Sequence, residues 1–174
     1  MKKLALLTCA AALASLPALA QEATATARMA SADGKDLGTV TFAQTKSGLL
    51  HLTVEMTGLE PGAHGFHIHE KGACDAAGGF DSAGGHYAGG KEHGIASDKG
   101  PHAGDLPNVH VGADGILKLE IFTDRLSLGD GGQNPLTDAD GSAVVLHADP
   151  DDYQSHPAGH AGKRIACGVV EQPS

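Results

Sequence analysis

Two histidines separated by a single residue mark the part of the chain with the clearest capacity for metal chemistry. The segment Phe66-His67-Ile68-His69 has the pattern of a strand end. Because side chains alternate along a strand, Phe66 and Ile68 share one face, and His67 and His69 share the other. The apolar pair can enter a core while the two imidazoles project together. Neutral imidazoles side by side suit copper or zinc.

A second group of candidate ligands lies in residues 71–104, a segment rich in Gly, Ala, His and Asp that lacks a sustained apolar period. A structureless loop of this length is usually functional. The candidates in or beside it are His86, His93, His102 and Asp105. Three imidazoles and one carboxylate form a closed tetrahedral set for zinc, and metal binding would offset the entropy of ordering the loop. The alternative is a polar loop with scattered surface histidines.

Two residues near the C-terminal end extend this constellation. His147 follows the apolar strand Val144-Val145-Leu146 and could complete a copper site with the first histidine pair. Asp151, four residues later, could orient a ligand imidazole through the ring nitrogen that is not bound to metal.

The N-terminus predicts export. The basic start Met1-Lys2-Lys3 precedes an apolar run over residues 4–16, and Ala18-Leu19-Ala20 supplies small residues before Gln21. This pattern is typical of a secretory signal peptide over residues 1–20, which leaves residues 21–174 as one domain. The apolar run is too short to span a bilayer, so we expect no membrane attachment after cleavage.

Two cysteines, Cys74 and Cys167, remain after that cleavage. An exported protein meets an oxidising compartment, so one disulfide is expected, the alternative being two free buried thiols. Arg164 lies three residues before Cys167. A bridge would therefore hold a cation near the metals.

Composition narrows the fold and the partners. The chain has 174 residues with 25 Gly, which argues against a bundle of long helices. Its net charge is -9, and removal of Lys2 and Lys3 makes it -11, which argues against a nucleic-acid partner. About eight short strands are expected, forming an antiparallel sandwich or barrel. Besides the strand that ends at residue 69, they are predicted at 22–31, 37–45, 50–57, 106–111, 116–122, 143–146 and 165–170.

Four separate motifs carry a family resemblance that extends from about residue 23 to residue 170. The motifs are Gly65-Phe66-His67-Ile68-His69-Glu70, Ser82-Ala83-Gly84-Gly85-His86, His102-Ala103-Gly104-Asp105-Leu106 and Gly162-Lys163-Arg164-Ile165-Ala166-Cys167-Gly168. In order and spacing they resemble the copper,zinc superoxide dismutases, and the bacterial exported branch most of all. The resemblance implies a flattened eight-stranded antiparallel Greek-key barrel, an immunoglobulin-like sandwich with long metal-binding and electrostatic loops.

The resemblance also implies roles for individual residues. One copper would be held by His67, His69, His86 and His147, and one zinc by His86, His93, His102 and Asp105. Asp151 would link the two sites through ligand histidines, and Cys74 and Cys167 would form the disulfide. Arg164 and His86 would be catalytic: Arg164 guides and holds superoxide, and His86 bridges the metals and exchanges a proton.

The activity implied is the conversion of superoxide to oxygen and hydrogen peroxide, as antioxidant defence in the periplasm. Relatives in the bacterial branch occur as monomers and as dimers, so a homodimer is open. A copper-binding or copper-delivery module on the same barrel is the main alternative, and a metal-free interaction barrel is another. The three remaining copper ligands, the bridging histidine and Arg164 are all present, which favours the enzyme.

One segment departs from the family pattern. His86 and His93 are seven residues apart, where eight or more are expected, and Tyr87-Ala88-Gly89 replaces an aromatic-Asn-Pro turn. A tighter zinc loop is therefore predicted, with His93 as the ligand least well matched to the family.

Overall fold

The computed structural model describes residues 24–129 and 132–173, and the predicted signal peptide lies outside them. These residues contain one 3₁₀ turn, Asp81–Ala83, and none of their helices is long and apolar enough to cross a membrane. They also contain nine strands: β1 Thr24–Ser31, β2 Asp36–Gln44, β3 Leu50–Met56, β4 Gly62–His64, β5 Phe66–His69, β6 Val109–Val111, β7 Leu117–Thr123, β8 Ala143–His147 and β9 Arg164–Glu171.

Seven of these strands form one antiparallel sheet in the order β5-β8-β9-β1-β2-β3-β7, and β4 pairs with β6. The predicted all-β antiparallel fold is confirmed, with the large sheet curled into a half-barrel. The described residues hold nine strands rather than about eight because the short strand β4 was missed. In the predicted strand 106–111, only Val109–Val111 is regular. Pro107 has no N–H to donate to a strand partner, which explains the late start.

Alternation places the core inside the curled sheet. In β3, Leu50, Leu52, Val54 and Met56 are fully buried, while the residues between them face outward. The core includes the rings of Phe42 and Phe66 and is otherwise built from aliphatic side chains, chiefly Leu, Val and Ala, with two Met. This agrees with a chain that is only 3% aromatic.

Strand β8 is buried on both faces, and this arrangement creates the floor of the site. Val144 and Leu146 enter the main core, whereas Ala143 and Val145 pack in a second cluster with Phe80, Ala83 and Cys167. His147 ends β8 on the second face because it continues the alternation of residues 143 and 145.

The register between β5 and β8 brings three histidines to that same face. His67 pairs with Val145 and His69 pairs with Ala143, so both lie on the face of His147, and their ring centroids are 4.9 and 5.7 Å from its ring. The predicted grouping of His67 with His69 on the face opposite Phe66 is confirmed. That face is not solvated: His67 and His69 are 0% and 1% exposed, because loops cover it.

An irregularity in the pairing of β8 with β9 places the arginine. Leu146 pairs with Ala166 but His147 pairs with Arg164, so β9 has one extra residue at this point. Such a bulge bends a strand and re-aims its side chains. Here it sets Arg164 opposite His147.

The long loop after β5 covers the free edge of that strand. The Tyr87 N–H donates to the Ile68 carbonyl at 2.8 Å, and the Ile68 N–H donates to the Gly104 carbonyl at 3.0 Å. His86 is thereby aligned with His69, and Asp105 with His67. An edge strand offers unpaired backbone groups, and this loop uses them to order itself.

Candidate metal centre

Four buried imidazoles form the first cluster. Their ligand nitrogens lie within 4.8 Å of one another, and the cluster consists of His67, His69, His86 and His147. One ring nitrogen on each is buried without a hydrogen-bond partner: His67 Nδ1, His69 Nε2, His86 Nε2 and His147 Nε2. A buried polar atom without a partner is costly, and four converging nitrogens of this kind form a donor set suited to a metal cation. Four imidazoles suit copper.

In His67, His69 and His147, the ring nitrogen that points away from the cluster faces a protein acceptor. The nitrogen that points into the cluster is therefore available to bind metal. His67 Nε2–H donates to Asp151 Oδ2 at 2.8 Å, and His69 Nδ1–H donates to the Gly84 carbonyl at 3.0 Å. His147 Nδ1 faces the Gly162 carbonyl at 3.4 Å. Partners of this kind fix the tautomer of a ligand histidine.

The second cluster surrounds one carboxylate oxygen. Asp105 Oδ1 lies 2.9 Å from His86 Nδ1, 3.1 Å from His93 Nδ1 and 3.2 Å from His102 Nδ1. Ligands on a tetrahedral zinc with bonds of about 2.1 Å lie about 3.4 Å apart, so these separations are close to those of a zinc shell. Asp105 Oδ2 is held by the N–H groups of Gly94 and His102. His86 belongs to both clusters, with one nitrogen turned to each.

The short segment between His86 and His93 still places His93 in the second cluster. His93 is completely buried, and its Nδ1 joins the second cluster. The chain between His86 and His93 turns through Gly89 and Gly90, both with positive φ, so it closes in fewer residues. All the sequence-predicted metal residues are therefore brought together in two adjoining clusters.

Asp151 connects the two clusters. Its Oδ2 accepts from His67, and its Oδ1 accepts from His93 Nε2 at 3.1 Å. Asn108 fixes Asp151 in turn: Asn108 Oδ1 accepts the Asp151 N–H, and Asn108 Nδ2 donates to the Asp151 carbonyl, both at 2.8 Å. Asn108 could not be predicted from the sequence, because a lone Asn after Pro107 has no spacing signature.

Arg164 lies beside the first cluster with its guanidinium held in place. Nη1 donates to the Phe80 carbonyl and Nη2 to the Gly84 carbonyl, each at 2.7 Å. Burial lowers the pKa of Arg164 from its ordinary value, but a guanidinium stays charged near neutral pH. The predicted disulfide is confirmed: Cys74 and Cys167 are bonded, with their Cα atoms 5.7 Å apart.

Burial keeps three imidazoles of the first cluster, His67, His69 and His147, in the neutral form that binds metal. It lowers the pKa of His67 to about 4, of His69 to about 2 and of His147 to about 3. Burial alone would raise the pKa of Asp105, but hydrogen bonds from His86 and the Gly94 N–H hold it below its ordinary value. The second cluster therefore keeps an anionic oxygen at its centre.

We expect the metal-free protein to lose stability as the pH falls from about 6.5 to about 4. In that window the unfolded chain protonates these histidines while the folded chain does not, so acid favours unfolding. Each such histidine contributes up to about 1.4 kcal/mol per pH unit. Urea midpoints of the disulfide-intact, metal-free protein at pH 7.5 and 5 measure the effect.

His69→Gln should make this pH dependence shallower. The control is His110→Gln, a change at an exposed strand histidine that belongs to neither cluster, and it should leave the slope unchanged. A free energy of unfolding that stays constant between pH 7.5 and pH 5 in the wild type would contradict the expectation.

The curled antiparallel sheet and the two clusters that share His86 define a two-metal, histidine-rich β-barrel protein. A profile of the copper/zinc superoxide dismutase family matches residues 37–170. A superoxide dismutase [Cu-Zn] of Caulobacter vibrioides is 48% identical over 150 residues, which cover 84% of this chain and 85% of the relative. Superoxide dismutase [Cu-Zn] 1 of Aquifex aeolicus is 43% identical over 155 residues, covering 88% and 90%.

Solved structures agree with these sequence matches. The Cu/Zn superoxide dismutase from Brucella abortus has a TM-score of 0.66 at 30% identity, covering 85% of this chain and 99% of that one. A superoxide dismutase-like protein from Bacillus subtilis has a TM-score of 0.79 at 38% identity, covering 83% and 96%. The chain belongs to the copper/zinc superoxide dismutase family.

Proposed function

We propose that this protein is a copper,zinc superoxide dismutase, which converts two superoxide anions and two protons to oxygen and hydrogen peroxide. The observation that carries the proposal is the set of four buried imidazole nitrogens that face one another without hydrogen-bond partners. Bound copper supplies the one-electron exchange with superoxide, whereas zinc has no redox chemistry and stabilises the loop.

The atoms that face one another within each cluster define the proposed ligands. Copper is assigned to His67 Nδ1 and to Nε2 of His69, His86 and His147. Zinc is assigned to Asp105 Oδ1 and to Nδ1 of His86, His93 and His102. All seven residues belong to one chain, so we propose that a single chain holds a complete site whether or not it pairs with a second copy.

Two residues of the site act on the substrate and its protons. Arg164 provides a fixed positive charge beside the copper set, which attracts and orients a small anion. His86 Nε2 is the atom that we assign to proton exchange during turnover. Asp151 holds His67 and His93 in place and does not touch the substrate.

The burial of the cluster distinguishes the enzyme from a copper-delivery module. His67, His69 and His147 are at most 3% exposed, and His86 is 6% exposed. A delivery protein must present its ligands to a partner's ligands, whereas these four imidazoles are buried away from the surface. The disulfide fits an oxidising compartment, and with the predicted signal peptide it supports our proposal that the protein acts in the periplasm.

The test of this function combines metal loading with charge substitution at Arg164. Protein with one copper and one zinc should dismute superoxide. Arg164→Met should lower the second-order rate constant by about 10-fold or more at low ionic strength, because local charge steers anions. Arg164→Lys should lower the rate constant less, because it keeps the charge. Some loss is still expected, because a lysine cannot donate to two carbonyls as a planar fork.

Salt provides the control for that comparison. Raising the ionic strength should narrow the difference in rate constant between wild type and Arg164→Met, because salt screens the long-range attraction between the protein and an approaching anion. Inactivity of the fully loaded wild type would refute the enzyme assignment. A wild-type rate in Arg164→Met would refute only the role of the arginine.

A further inference from the structure

Glu70 directly follows the ligand histidine His69, and its exposed carboxylate has no part in the roles assigned above. Its Oε1 accepts the N–H of Gly85 at 3.1 Å, and its backbone N–H donates to the Gly85 carbonyl at 3.0 Å. Glu70 therefore holds Gly85 through both side chain and backbone.

The peptide unit that joins Gly84 to Gly85 has a second set of partners on its opposite side. The Gly84 carbonyl accepts from His69 Nδ1 at 3.0 Å and from Arg164 Nη2 at 2.7 Å. One carbonyl oxygen thus orients both a proposed copper ligand and the residue proposed to bind superoxide.

The carbonyl and the N–H of a trans peptide are rigidly coplanar and point in opposite directions. An acceptor that holds the Gly85 N–H therefore also aims the Gly84 carbonyl. The backbone on either side of this peptide is intrinsically permissive, because the peptide joins two glycines and Gly84 adopts a φ of 75°. The Glu70 side chain packs directly over Gly84, where an added Cβ would lie 2.8 Å from Oε1 and 2.9 Å from Cγ.

We propose that Glu70 is a positioning residue, which fixes the orientation of the Gly84–Gly85 peptide and through it the ring of His69 and the guanidinium of Arg164. The importance of those two groups rests on the proposed function. The orientation of the peptide itself does not, and it can be measured without metal.

Three substitutions separate the hydrogen bond from the charge. Glu70→Gln keeps an oxygen at the same reach but removes the charge. Glu70→Asp keeps the charge but is one methylene shorter, so it withdraws the oxygen from Gly85. Glu70→Ala removes both. Glu55→Ala is the matched control, because Glu55 is an exposed acid on β3 whose ion-pair partner is Lys118.

We expect amide exchange at Gly85 in the metal-free protein to accelerate about 3- to 10-fold in Glu70→Ala and Glu70→Asp, the effect of losing one hydrogen bond. In the copper,zinc-loaded protein the same two variants should show an altered Cu(II) electron paramagnetic resonance spectrum. Their rate constant for superoxide should fall about 3- to 10-fold by the same reasoning. Glu70→Gln and Glu55→Ala should resemble the wild type in all three measurements.

Two results would overturn the proposal. One is wild-type exchange and a wild-type copper spectrum in both Glu70→Ala and Glu70→Asp. The other is a Glu70→Gln variant as impaired as Glu70→Ala beside a normal Glu70→Asp, which would make the effect one of charge. If Glu70→Ala does not fold, the comparison of Glu70→Gln with Glu70→Asp still tests the proposal. An inactive wild type would refute the proposed function. Amide exchange at Gly85 and the Cu(II) spectrum would still test whether Glu70 positions the peptide.

Discussion

Replacing His147 by alanine should abolish copper binding and superoxide dismutation while the barrel stays folded. The imidazole is one of the four buried groups of the copper set, and its Nε2 has no partner in the protein. Loss of a residue that only supports a ligand costs about 10- to 100-fold in affinity or activity. Loss of the ligand itself should therefore lower activity by more than about 100-fold on the same scale.

The fold should survive because the backbone of His147 makes the local structural contacts. Its N–H donates to the Gly65 carbonyl at 2.9 Å, and its carbonyl accepts from His64 Nδ1 at 2.8 Å. An alanine keeps both bonds. The zinc set does not contain this residue, so the variant should retain one zinc per chain.

Metal analysis, the visible spectrum of Cu(II) and a dismutation assay measure the outcome. His110→Ala is the matched control, since His110 is an exposed strand histidine on β6. Retention of copper and of the wild-type rate by His147→Ala would show that the copper assignment is wrong.

Removing the disulfide should have the largest effect on stability. The bond joins residues 93 positions apart. Chain-entropy reasoning assigns a loop of that length a stabilisation of about 4 to 5 kcal/mol, as an upper figure. Urea unfolding of Cys74→Ala/Cys167→Ala against the wild type should show a loss approaching that value.

Activity should fall as well, because the bridge fastens the loop that orients Arg164. That loop runs from Cys74 to the Phe80 and Gly84 carbonyls, which accept from the guanidinium. Wild-type protein treated with reductant is the control that leaves both side chains in place, and it should lose similar stability. Equal unfolding midpoints for the double variant and the oxidised wild type would contradict the expectation.

Much of the sheet could be predicted because buried and outward-facing residues alternate along most of its strands. Strands β1, β2, β3 and β7 each bury one face, and a period of two is visible in their residues. Strand β4 has three residues and follows Pro61, so it leaves no such period. The edge-covering hydrogen bonds of the long loop also leave no trace in sequence, because they are made by backbone groups.

The metal residues could be predicted because their side chains perform the chemistry and so restrict residue type. The groups that position these side chains could not be predicted in the same way. Arg164 and His69 share the carbonyl of Gly84, and any residue has a carbonyl. Asn108 and Glu70 act through backbone atoms of Asp151 and Gly85, so their roles depend on a three-dimensional arrangement and not on a motif.

The first and last strands of the described sheet lie side by side, and this determines when the protein can fold. In the β1–β9 pair, Ala27 lies opposite Val170 and Ala30 opposite Cys167. Until residues 164–171 leave the ribosome, β1 lacks its neighbour on one side and β8 is cut off from the rest of the sheet. Such long-range pairing forms slowly. Completion of the seven-stranded sheet therefore waits for β9.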